Sequence, residues 1–592
     1  MAKQSFDKFF LPSRKVIADK AFLPEETIRL VEERLKSLGA KVYKGVKRID
    51  KGRLGLPVFL SFYDVDGVKT TGNYKQMGKG ATEILAKASA LVELVERYSL
   101  FSFFKRGHQQ GILATFEELK EEAIPWEVFL KSLEDEEDER VKGVALKLIK
   151  NFPFYFVPAL EVRTKEVKYL PFHWFWMLYE YNGSAGGNTY PEASVQAICE
   201  LIERHTNALS IRFNKPLPAI KRKSIKGAAE EVLKCFERLN IRVWIRDMTF
   251  GMPAPTVAVM AMDSSTYPER SEIVYAAGTG TSPERALIRA LTEVAQLAGD
   301  FDTEGKYVES GLPKFQTLEE AKIVIEYDGD VELNSLTNVY SEDHVEELNT
   351  LAQKLKDIGF ETYLIDLTNE ELNLPAVYAV IPGILFRERT KIPFLFHLVR
   401  ASYFYHPREV TERLINEVLS EVPDRYYVWG FYGNLLKDRG DLDSAISCYE
   451  RALSLEPQAP DKLAILTHLA DAYFTKGEYL KAISACEQTL ECGEAPEVFN
   501  LLGRSYYKLQ EFSKALEYFL KATELDPSSA IDYANAGFSL KSIGEGLQTE
   551  EARMLFLSQA KLFFLKALSL NPDLEMAKRG LAYCEEFISE NN

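Results

Sequence analysis

The spacing of hydrophobic and polar residues divides the chain into two regions. Before about Asp424, short apolar runs rich in β-branched residues, such as VWIRDMT (243–249), PTVAVMAM (255–262) and FETYLIDLT (360–368), alternate with amphipathic stretches. This alternation predicts mixed helices and strands. From Asp424 onward, apolar residues recur at helical spacing almost to the last residue. The pattern therefore predicts an α+β domain followed by an all-α domain.

The helical region contains internal repeats. GDLDSAISCYERALSLEP (440–457), GEYLKAISACEQTLE (477–491) and QEFSKALEYFLKATELDP (510–527) align without gaps, and AKLFFLKALSLNP (560–572) follows after a longer insertion. Small residues let paired helices approach closely, and the prolines at 457, 527 and 572 end each second helix. The pattern resembles the tetratricopeptide repeat, a helix–turn–helix unit of about 34 residues. Such a region binds a partner protein or serves packing and dimerisation, and both interpretations stay open.

A second internal similarity lies in the mixed region. LNIRVWIRDMTFGMPAPTVAVMAM (239–262) and IGFETYLIDLTNEELNLPAVYAVIPG (358–383) share the order strand, Asp-x-Thr turn, proline-bearing loop and strand. An amphipathic helix precedes each of them. We interpret the duplication as a repeated αββ unit that supports a sheet.

Composition and charge exclude several classes of protein. The 592 residues are 46% hydrophobic and 27% charged, which is typical of a soluble globular chain with several domains. There are 88 acidic and 72 basic residues, so the net charge of −16 argues against a general binder of nucleic acid or anionic membranes. No apolar run approaches the ~20 residues of a membrane span. Without a secretory signal or a CxxC motif among the six cysteines, we expect a cytoplasmic protein.

The strongest chemical signal is a pattern that occurs three times. It consists of Gly-x-(Ser/Thr), a Glu eleven residues after the hydroxyl residue, and a Glu or Gln three residues later. The same positions in the three copies are Gly80, Thr82, Glu93 and Glu96; Gly187, Thr189, Glu200 and Glu203; and Gly280, Ser282, Glu293 and Gln296.

Helical geometry gives this spacing a physical meaning. The Gly-(Ser/Thr) segment supplies a turn and an N-cap for the helix that follows. Residues at i, i+4 and i+7 share one face, so Ser89, Gln196 and Arg289 lie on the same stripes as the acidic residues after them. A single pair such as Glu96-Arg97 is typical of a solvated helix face. Three copies in register instead favour helices that converge on one site.

Five converging carboxylates require cations, because like charges held together cannot all stay ionised. Oxygen ligands suit Mg²⁺, which commonly joins carboxylates to substrate phosphates. Helix N-termini and the side chains of Lys79, Arg97, Arg204 and Arg289 are matching phosphate donors. The pattern predicts a nucleotide–magnesium site, although GNYKQMGKG (72–80) and GTGTSP (278–283) both depart from the standard phosphate-binding motifs.

These residues also resemble a known family. GKGAT…SALVELVER, NGSAGGNTYPEASVQAICELIER, GTGTSPERALIRALTEVAQ and LNLPAVYAVIPG look like the signature stretches of the YcaO family, over about residues 15–390. The resemblance implies an ATP-binding fold that activates a peptide amide. A nucleophile adds to the amide, the resulting oxyanion attacks the γ-phosphate, and phosphate leaves to give an azoline, amidine or thioamide. The domain order is similar to bacterial members linked to methylthiolation of a ribosomal protein.

Matching the motif positions carries the site residues of the family onto this chain. The resemblance implies that Glu93, Glu96, Glu200, Glu203 and Glu293 bind Mg²⁺, and it assigns no catalytic residue. DKAFLPEETI (19–28) is similar to the N-terminal nucleotide segment of the family. The chain ends in YCEEFISENN, without the PxPxP tail of azoline-forming members, which favours the methylthiolation-associated or thioamide readings. The implied ATP contacts are Lys20, Thr27, Ser89, Asn188, Glu192, Gln196, Arg204 and Arg289.

We therefore expect a YcaO-like ATP- and Mg²⁺-binding domain at 1–400, a connecting helical segment at 401–423 and tetratricopeptide repeats at 424–592. The expected function is activation of peptide or protein amides for heterocycle, thioamide or related post-translational modification. A sulfur-delivering or methylthiotransferase partner and a homodimer are also expected. The alternative is a non-catalytic, nucleotide-binding accessory factor for a ribosomal protein methylthiotransferase.

Overall fold

The computed structural model describes residues 6–268, 273–298, 315–386 and 390–590, with the backbone alone for 106–110. The chain forms two compact units, Met1–Phe394 and Leu395–Asn592. The first combines strands and helices, and the second is helical throughout its described residues, so the predicted fold class is confirmed. The domain boundaries at 400 and 424 stay predictions.

Strands of the first unit form three sheets. They are β1 Tyr43–Arg48, β2 Val58–Tyr63, β3 Lys75–Lys79, β4 Ile112–Ala114, β5 Phe154–Glu161, β6 Val167–Pro171, β7 Ser184–Gly186, β8 Ala219–Ile220, β9 Ile241–Asp247, β10 Thr256–Asp263, β11 Ile273–Thr279, β12 Asp330–Val331, β13 Tyr363–Asp366 and β14 Ala376–Val380. The sheet orders are β1-β2-β3, β11-β10-β9-β8-β12 and β4-β5-β13-β14-β7, with β6 paired to β5. The pairs are antiparallel except β8 with β12.

Twelve α-helices lie within the described part of the first unit, beside several short 3-10 turns. They are α1 Pro24–Ser37, α2 Val65–Thr71, α3 Glu83–Gln110, α4 Phe116–Leu119, α5 Trp126–Phe129, α6 Glu139–Asn151, α7 Phe172–Tyr179, α8 Tyr190–Phe213, α9 Gly227–Glu237, α10 Pro283–Ala298, α11 Lys322–Ile325 and α12 His344–Asp357. Helix α3 packs on β2 and β3, α10 packs on β10 and β11, and α8 packs on β14 and α12.

Glycines let two of these helices approach their strands closely. A Cβ atom added at Gly78 in β3 would overlap the backbone of Ala86 and Ala90 in α3. A Cβ atom at Gly278 in β11 would meet the backbone of α10 in the same way. Because only glycine leaves this space, the axial position of each helix is fixed against the strand that precedes it.

The predicted αββ duplication is present. Helix α9 precedes the antiparallel pair β9–β10, and α12 precedes the antiparallel pair β13–β14. The Asp-x-Thr turns have the same geometry, since Asp247 accepts the Thr249 amide at 2.9 Å and Asp366 accepts the Thr368 amide at 3.0 Å. The duplicated units supply strands to the two larger sheets.

Paired helices make up the described part of the second unit. The alanines aligned in the repeats, Ala445, Ala482 and Ala515, are fully buried. No helix of the described ranges is both long and apolar enough to span a bilayer. The helices, the first of which begins at Phe394, are α13 Phe394–Tyr405, α14 Arg408–Glu421, α15 Tyr426–Asp438, α16 Leu442–Leu453, α17 Ala459–Lys476, α18 Tyr479–Leu490, α19 Pro496–Lys508, α20 Phe512–Leu525, α21 Ala530–Glu545, α22 Glu550–Leu570 and α23 Glu575–Glu590.

Three of these helix pairs share a contact between a glycine and an aromatic ring. In each, a glycine in the first helix faces a Tyr or Phe in the second, and an added Cβ would lie only 2.5, 2.7 or 2.8 Å from the ring. The glycine thus allows the large buried ring to fill the space between the helices. The pairs are Gly433 with Tyr449, Gly503 with Phe519, and Gly537 with Phe564.

Candidate functional site

The site is built from three strand–turn–helix units, one for each copy of the sequence pattern. Strand β3 leads into α3, β7 into α8 and β11 into α10. A hydroxyl residue directly precedes each helix and lies near the amide of the third helical residue, as the pattern predicted. The hydroxyl-to-nitrogen distances are 3.5 Å for Thr82 and Leu85, 3.2 Å for Thr189 and Glu192, and 3.4 Å for Ser282 and Arg285.

Each helix reaches the end of a strand in another copy. Glu96 of α3 accepts hydrogen bonds from the Ser184 hydroxyl at 2.5 Å and from the Gly186 amide at 3.3 Å, both in β7. Glu203 of α8 accepts the amide of Thr279, at the end of β11, at 3.0 Å. The first copy is thereby joined to the second, and the second to the third.

Helix α10 closes the circle. Glu293 forms an ion pair with Lys79, the last residue of β3, and so joins the third copy to the first. The contacts α3–β7, α8–β11 and α10–β3 form a closed ring, and one acidic residue of each copy makes each link: Glu96, Glu203 and Glu293. The predicted convergence of the three helices is thus present.

Two arginines hold the acidic residues from within their own helices. Arg97 lies 3.8 Å from Glu93 and 3.2 Å from Glu96, donates to the Ser184 hydroxyl at 3.0 Å, and stacks over the Tyr181 ring at 5.0 Å. The arginine is fixed by four partners on two elements, so its charge stays inside the ring.

Arg204 repeats this arrangement on α8. Its guanidinium lies 3.7 Å from both Glu200 and Glu203, and its Nε donates to Asn182 at 2.8 Å. Asn182 and the strand after it belong to the NGSAGG stretch, which therefore orients both arginines.

Burial and like charge raise the pKa of the acidic groups. Burial, together with the charges of Glu93 and Glu200, raises the pKa of Glu96 to about 7 despite the neighbouring Arg97. The pKa values of Glu93 and Glu200 are raised chiefly by burial. Burial and the nearby Arg289 lower the pKa of Lys79 to about 8. The site therefore holds carboxylates of α3 and α8 close enough to influence one another.

The chemical type of these acidic groups suits Mg²⁺. They offer only carboxylate oxygens, the ligands that Mg²⁺ prefers, and a cation would stabilise the ionised forms that burial and, to a smaller extent, mutual repulsion disfavour. In the described ranges no group of three acidic, histidine or cysteine side chains already surrounds a common point, since Lys79, Arg97 and Arg204 lie among them. The ligand roles of the five glutamates stay predictions.

A second group of predicted residues surrounds the N-terminus of α8. The buried Glu192 carboxylate accepts the Ala21 amide at 3.0 Å and the Asn188 side-chain amide at 3.1 Å, and it pairs with Lys20 at 3.4 Å. Thr27 of α1 donates to the Asn188 carbonyl at 2.8 Å. The structure thus brings together four of the residues carried over as ATP contacts.

The remaining predicted contacts lie between these two groups. Gln196, one turn after Glu192, accepts a hydrogen bond from Arg289 of α10. Ser89 is half-buried on α3, one turn before Glu93, on the predicted stripe. A cleft runs beside Gln196 and Arg289, and it is lined by Asp19, Lys20, Glu192, Val195, Gln196, Cys199, Gly280, Thr281, Arg285, Arg289, His344 and Glu347.

Some members of the site have no counterpart in the sequence pattern. The backbone amides of Gly186 and Thr279 bind acidic side chains, although a backbone group leaves no mark in the sequence. Asp19 and Arg285 line the cleft and were also missed. The sequence did offer a signal for each of them. Asp19 is adjacent to Lys20 within DKAFLPEETI, and Arg285 is four residues before Arg289 on the same helix.

Comparison with known proteins agrees with this arrangement. The sequence profile described as YcaO cyclodehydratase, ATP- and Mg²⁺-binding, matches residues 77–385, more than half of the chain. A profile described as anaphase-promoting complex subunit 3 matches residues 438–522, within the helical repeats.

Individual proteins are similar at lower identity. An uncharacterized protein of Methanothermobacter thermautotrophicus is 26% identical over 381 residues, covering 62% of this chain and 94% of its own. The ribosomal protein S12 methylthiotransferase accessory factor YcaO of Escherichia coli is 24% identical over 336 residues, covering 52% and 56%. The solved structure of a heterocyclase in complex with substrate and cofactor shares the fold, with a TM-score of 0.51 at 22% identity and coverage of 64% and 54%. This chain belongs to the YcaO family and binds ATP and Mg²⁺.

Proposed function

We propose that this chain uses ATP to activate backbone amides of a polypeptide by phosphorylating the amide oxygen. The observation that carries the proposal is the closed ring of three strand–turn–helix units, which joins acidic and basic side chains of all three copies. Gln196 and Arg289, on two of the same helices, line the cleft. Phosphoryl transfer needs mainly positioning and charge neutralisation, and this arrangement supplies both.

Different groups of side chains are assigned to different parts of ATP, according to their positions. Lys20 and Glu192 line the cleft where the N-terminal segment meets α8. Asn188 donates to Glu192 and accepts from Thr27, and we assign these four residues to the nucleoside. Glu200 and Glu203 of the acidic ring lie two to three helical turns after Glu192 along α8, roughly 12–16 Å at about 1.5 Å per residue. We assign the ribose and the triphosphate to this stretch. When bound, ATP supplies the phosphoryl group and Mg²⁺ neutralises its negative charge.

Within the ring, Arg204 and Arg289 are the donors that we assign to phosphate oxygens. Arg289 donates to the neutral Gln196 side chain, and Arg204 donates to the neutral Asn182 side chain at 2.8 Å. Anionic oxygens bind a guanidinium more strongly than a neutral amide does. Glu93, Glu96, Glu200, Glu203 and Glu293 would hold the metal. No side chain is assigned as acid or base, so the residues of this chain act by binding and orientation.

A second candidate function is that of a nucleotide-binding accessory factor for a methylthiotransferase. The name of the E. coli relative and the helical repeats favour it. In this case the repeats would bind the methylthiotransferase or a sulfur-delivering protein, and ATP would act as a switch.

One experiment separates the two candidates. Ribosomal protein S12 and unrelated control polypeptides would be prepared with ¹⁸O in the backbone carbonyls and incubated with the full chain, ATP and Mg²⁺, with and without sulfide as the nucleophile that replaces the amide oxygen. Amide activation predicts phosphate release that depends on one polypeptide and carries ¹⁸O from it. An accessory role predicts that the released phosphate carries no ¹⁸O and that adding a polypeptide alone does not change the rate of its release.

We expect ATP binding to require more than one Mg²⁺. ATP brings about four negative charges to a site with up to five carboxylates, so a single divalent ion leaves strong repulsion. At fixed ATP, the affinity measured by calorimetry should continue to rise with Mg²⁺ after all the nucleotide is MgATP. Saturation at one Mg²⁺ per nucleotide would contradict this expectation.

We further propose that the repeats select a partner or a second copy, independently of ATP. Arg504 on α19 stacks over Phe474 of the preceding repeat at 4.2 Å, on the second unit alone. Arg504→Ala should leave ATP affinity within about twofold, because cation–π contacts are worth only about 1–2 kcal/mol and act locally. Light scattering and partner-binding measurements on the full-length variant, together with its ATP affinity, test this proposal. Loss of ATP binding would contradict it.

A further inference from the structure

A buried histidine fixes the N-terminal segment beside the cleft. His344, the first residue of α12, is only 2% exposed. Its Nδ1 lies 2.9 Å from the carbonyl oxygen and 3.0 Å from the hydroxyl of Ser13, and its Nε2 lies 3.0 Å from the carbonyl oxygen of Asp19. A neutral ring donates from one nitrogen only, so the ring lies between the two ends of the segment 13–19 and can donate to the carbonyl oxygen of either one.

The same segment is tied to α8. The Ser13 hydroxyl lies 2.6 Å from that of Thr189, the N-cap of α8, and the Ala21 amide donates to Glu192. A circuit of hydrogen bonds thus runs from His344 through Ser13, Thr189 and Glu192 back to the backbone around Asp19. Several independent contacts fix the backbone of Asp19, so the direction of its side chain is restricted.

The Asp19 carboxylate differs from the other acidic groups of the cleft. Glu192 is bonded to Lys20, Ala21 and Asn188, and Glu347 is bonded to Lys15 and Ser341. For Asp19, no hydrogen bond or ion pair with another side chain is found in the described part of the chain. Asp19 lines the cleft, and its carboxylate has acceptor capacity left for a ligand.

Asp19 also keeps its negative charge at neutral pH. Burial alone would raise its pKa, but the charges of Lys20, Arg285 and Arg289 lower the pKa to about 2. An ionised carboxylate accepts hydrogen bonds and cannot donate them, and it repels phosphate. In ATP, its partner is then an O–H or N–H donor of the nucleoside and not a phosphate oxygen.

We propose that Asp19 accepts a hydrogen bond from the nucleoside of ATP and that His344 is the positioning residue that holds it there. This inference rests on the proposed function only in placing ATP in this cleft. A nucleoside carries such donors on the ribose hydroxyls and on the adenine 6-amino group. Asp19 would make the site bind nucleotides that carry the required donor more tightly than nucleotides that lack it.

The test measures the affinity of the full chain for ATP and for three analogues that each lack one donor, in the presence of Mg²⁺. The probes are 2′-deoxy-ATP, 3′-deoxy-ATP and purine riboside triphosphate. A hydrogen bond to a charged group contributes about 1.5–3 kcal/mol, so wild type should bind one analogue roughly 10- to 100-fold more weakly than ATP. The analogue affected identifies the ribose or the base as the source.

Asp19→Ala should weaken ATP binding by a similar factor but leave the affinity for that analogue unchanged. The ratio of the affinity for ATP to the affinity for the analogue therefore falls to about 1. Asp19→Asn, which keeps the shape, should lower the ratio partly and serves if the alanine variant does not fold. His344→Ala should lower the ratio as well, and His344→Gln, which retains a side-chain donor, should restore part of it. Asp66→Ala, at an exposed position on α2, is the control and should keep the wild-type ratio.

An unchanged ratio in Asp19→Ala and Asp19→Asn would overturn this inference and leave the proposed function intact. Altered ratios without any amide activation would contradict the proposed function and leave the inference intact. If wild type binds no ATP, both are wrong.

Discussion

Glu200→Gln is expected to weaken Mg²⁺-dependent ATP binding by more than about 100-fold, because changes next to metal ligands alone cost 10- to 100-fold. The substitution keeps the size of the side chain but removes a negative charge that interacts with two neighbouring groups of the site. Glu200 pairs with Arg204 at 3.7 Å and raises the pKa of Glu96 across the ring. Calorimetric titration with ATP, with and without Mg²⁺, measures the loss.

The control for this prediction is Glu231→Gln, which removes an equal charge from the exposed face of α9. It should bind ATP as wild type does. Glu200 retains 20% of its side-chain exposure and faces the site, so we expect the Tm of Glu200→Gln to stay close to wild type. Unchanged ATP affinity together with a large fall in Tm would mean that Glu200 is structural.

Gly278→Ala is expected to lower the free energy of unfolding by about 3 kcal/mol or more. The added methyl group would overlap the backbone of Ala286 and Ala290, which cannot turn aside as a flexible side chain does. Helix α10 would have to move away from β11, and Glu293 would move with it. Chemical denaturation followed by circular dichroism measures the stability loss.

Gly143→Ala is the matched control, since no atom lies within 4 Å of its added Cβ and it sits in the interior of α6. It should leave the protein unchanged or stabilise it by up to about 1 kcal/mol, because alanine favours helix more than glycine does. Wild-type stability for Gly278→Ala would show that β11 and α10 are not held at the close approach described above.

The sequence pattern located the helices and their acidic stripes because both follow from local rules. Thr82, Thr189 and Ser282 each directly precede a helix, and the i, i+4, i+7 spacing places polar residues on one face. The order of contacts around the ring could not be predicted from those rules. It depends on backbone amides at Gly186 and Thr279, which carry no side-chain signal.

The segment that bears Asp19 was beyond sequence reasoning for a different reason. Ser13 and His344 are 331 positions apart, and neither belongs to a repeated pattern. Lys79 shows a related difficulty. Its charge suggested a phosphate donor, which stays a prediction. Its pairing with Glu293 was not foreseen, because it arises where closing the ring brings the end of β3 against α10.

In the second unit, sequence spacing predicted the repeats well and the segment before them less fully. The aligned alanines are buried, and the second helices α16, α20 and α22 end just before Pro457, Pro527 and Pro572. The segment 401–423 was expected as a connecting helical segment. Its residues belong to the end of α13 and to α14, which lack the small-residue pattern of the repeats.

The central claim is that one site for ATP and Mg²⁺ forms where the three copies meet. An experimental structure of the full chain with a non-hydrolysable ATP analogue and Mg²⁺ tests it most directly. We expect metal density among Glu93, Glu96, Glu200, Glu203 and Glu293, with the nucleoside beside Asp19 and Lys20. A nucleotide bound elsewhere, or metal held without carboxylates from all three helices, would contradict the account.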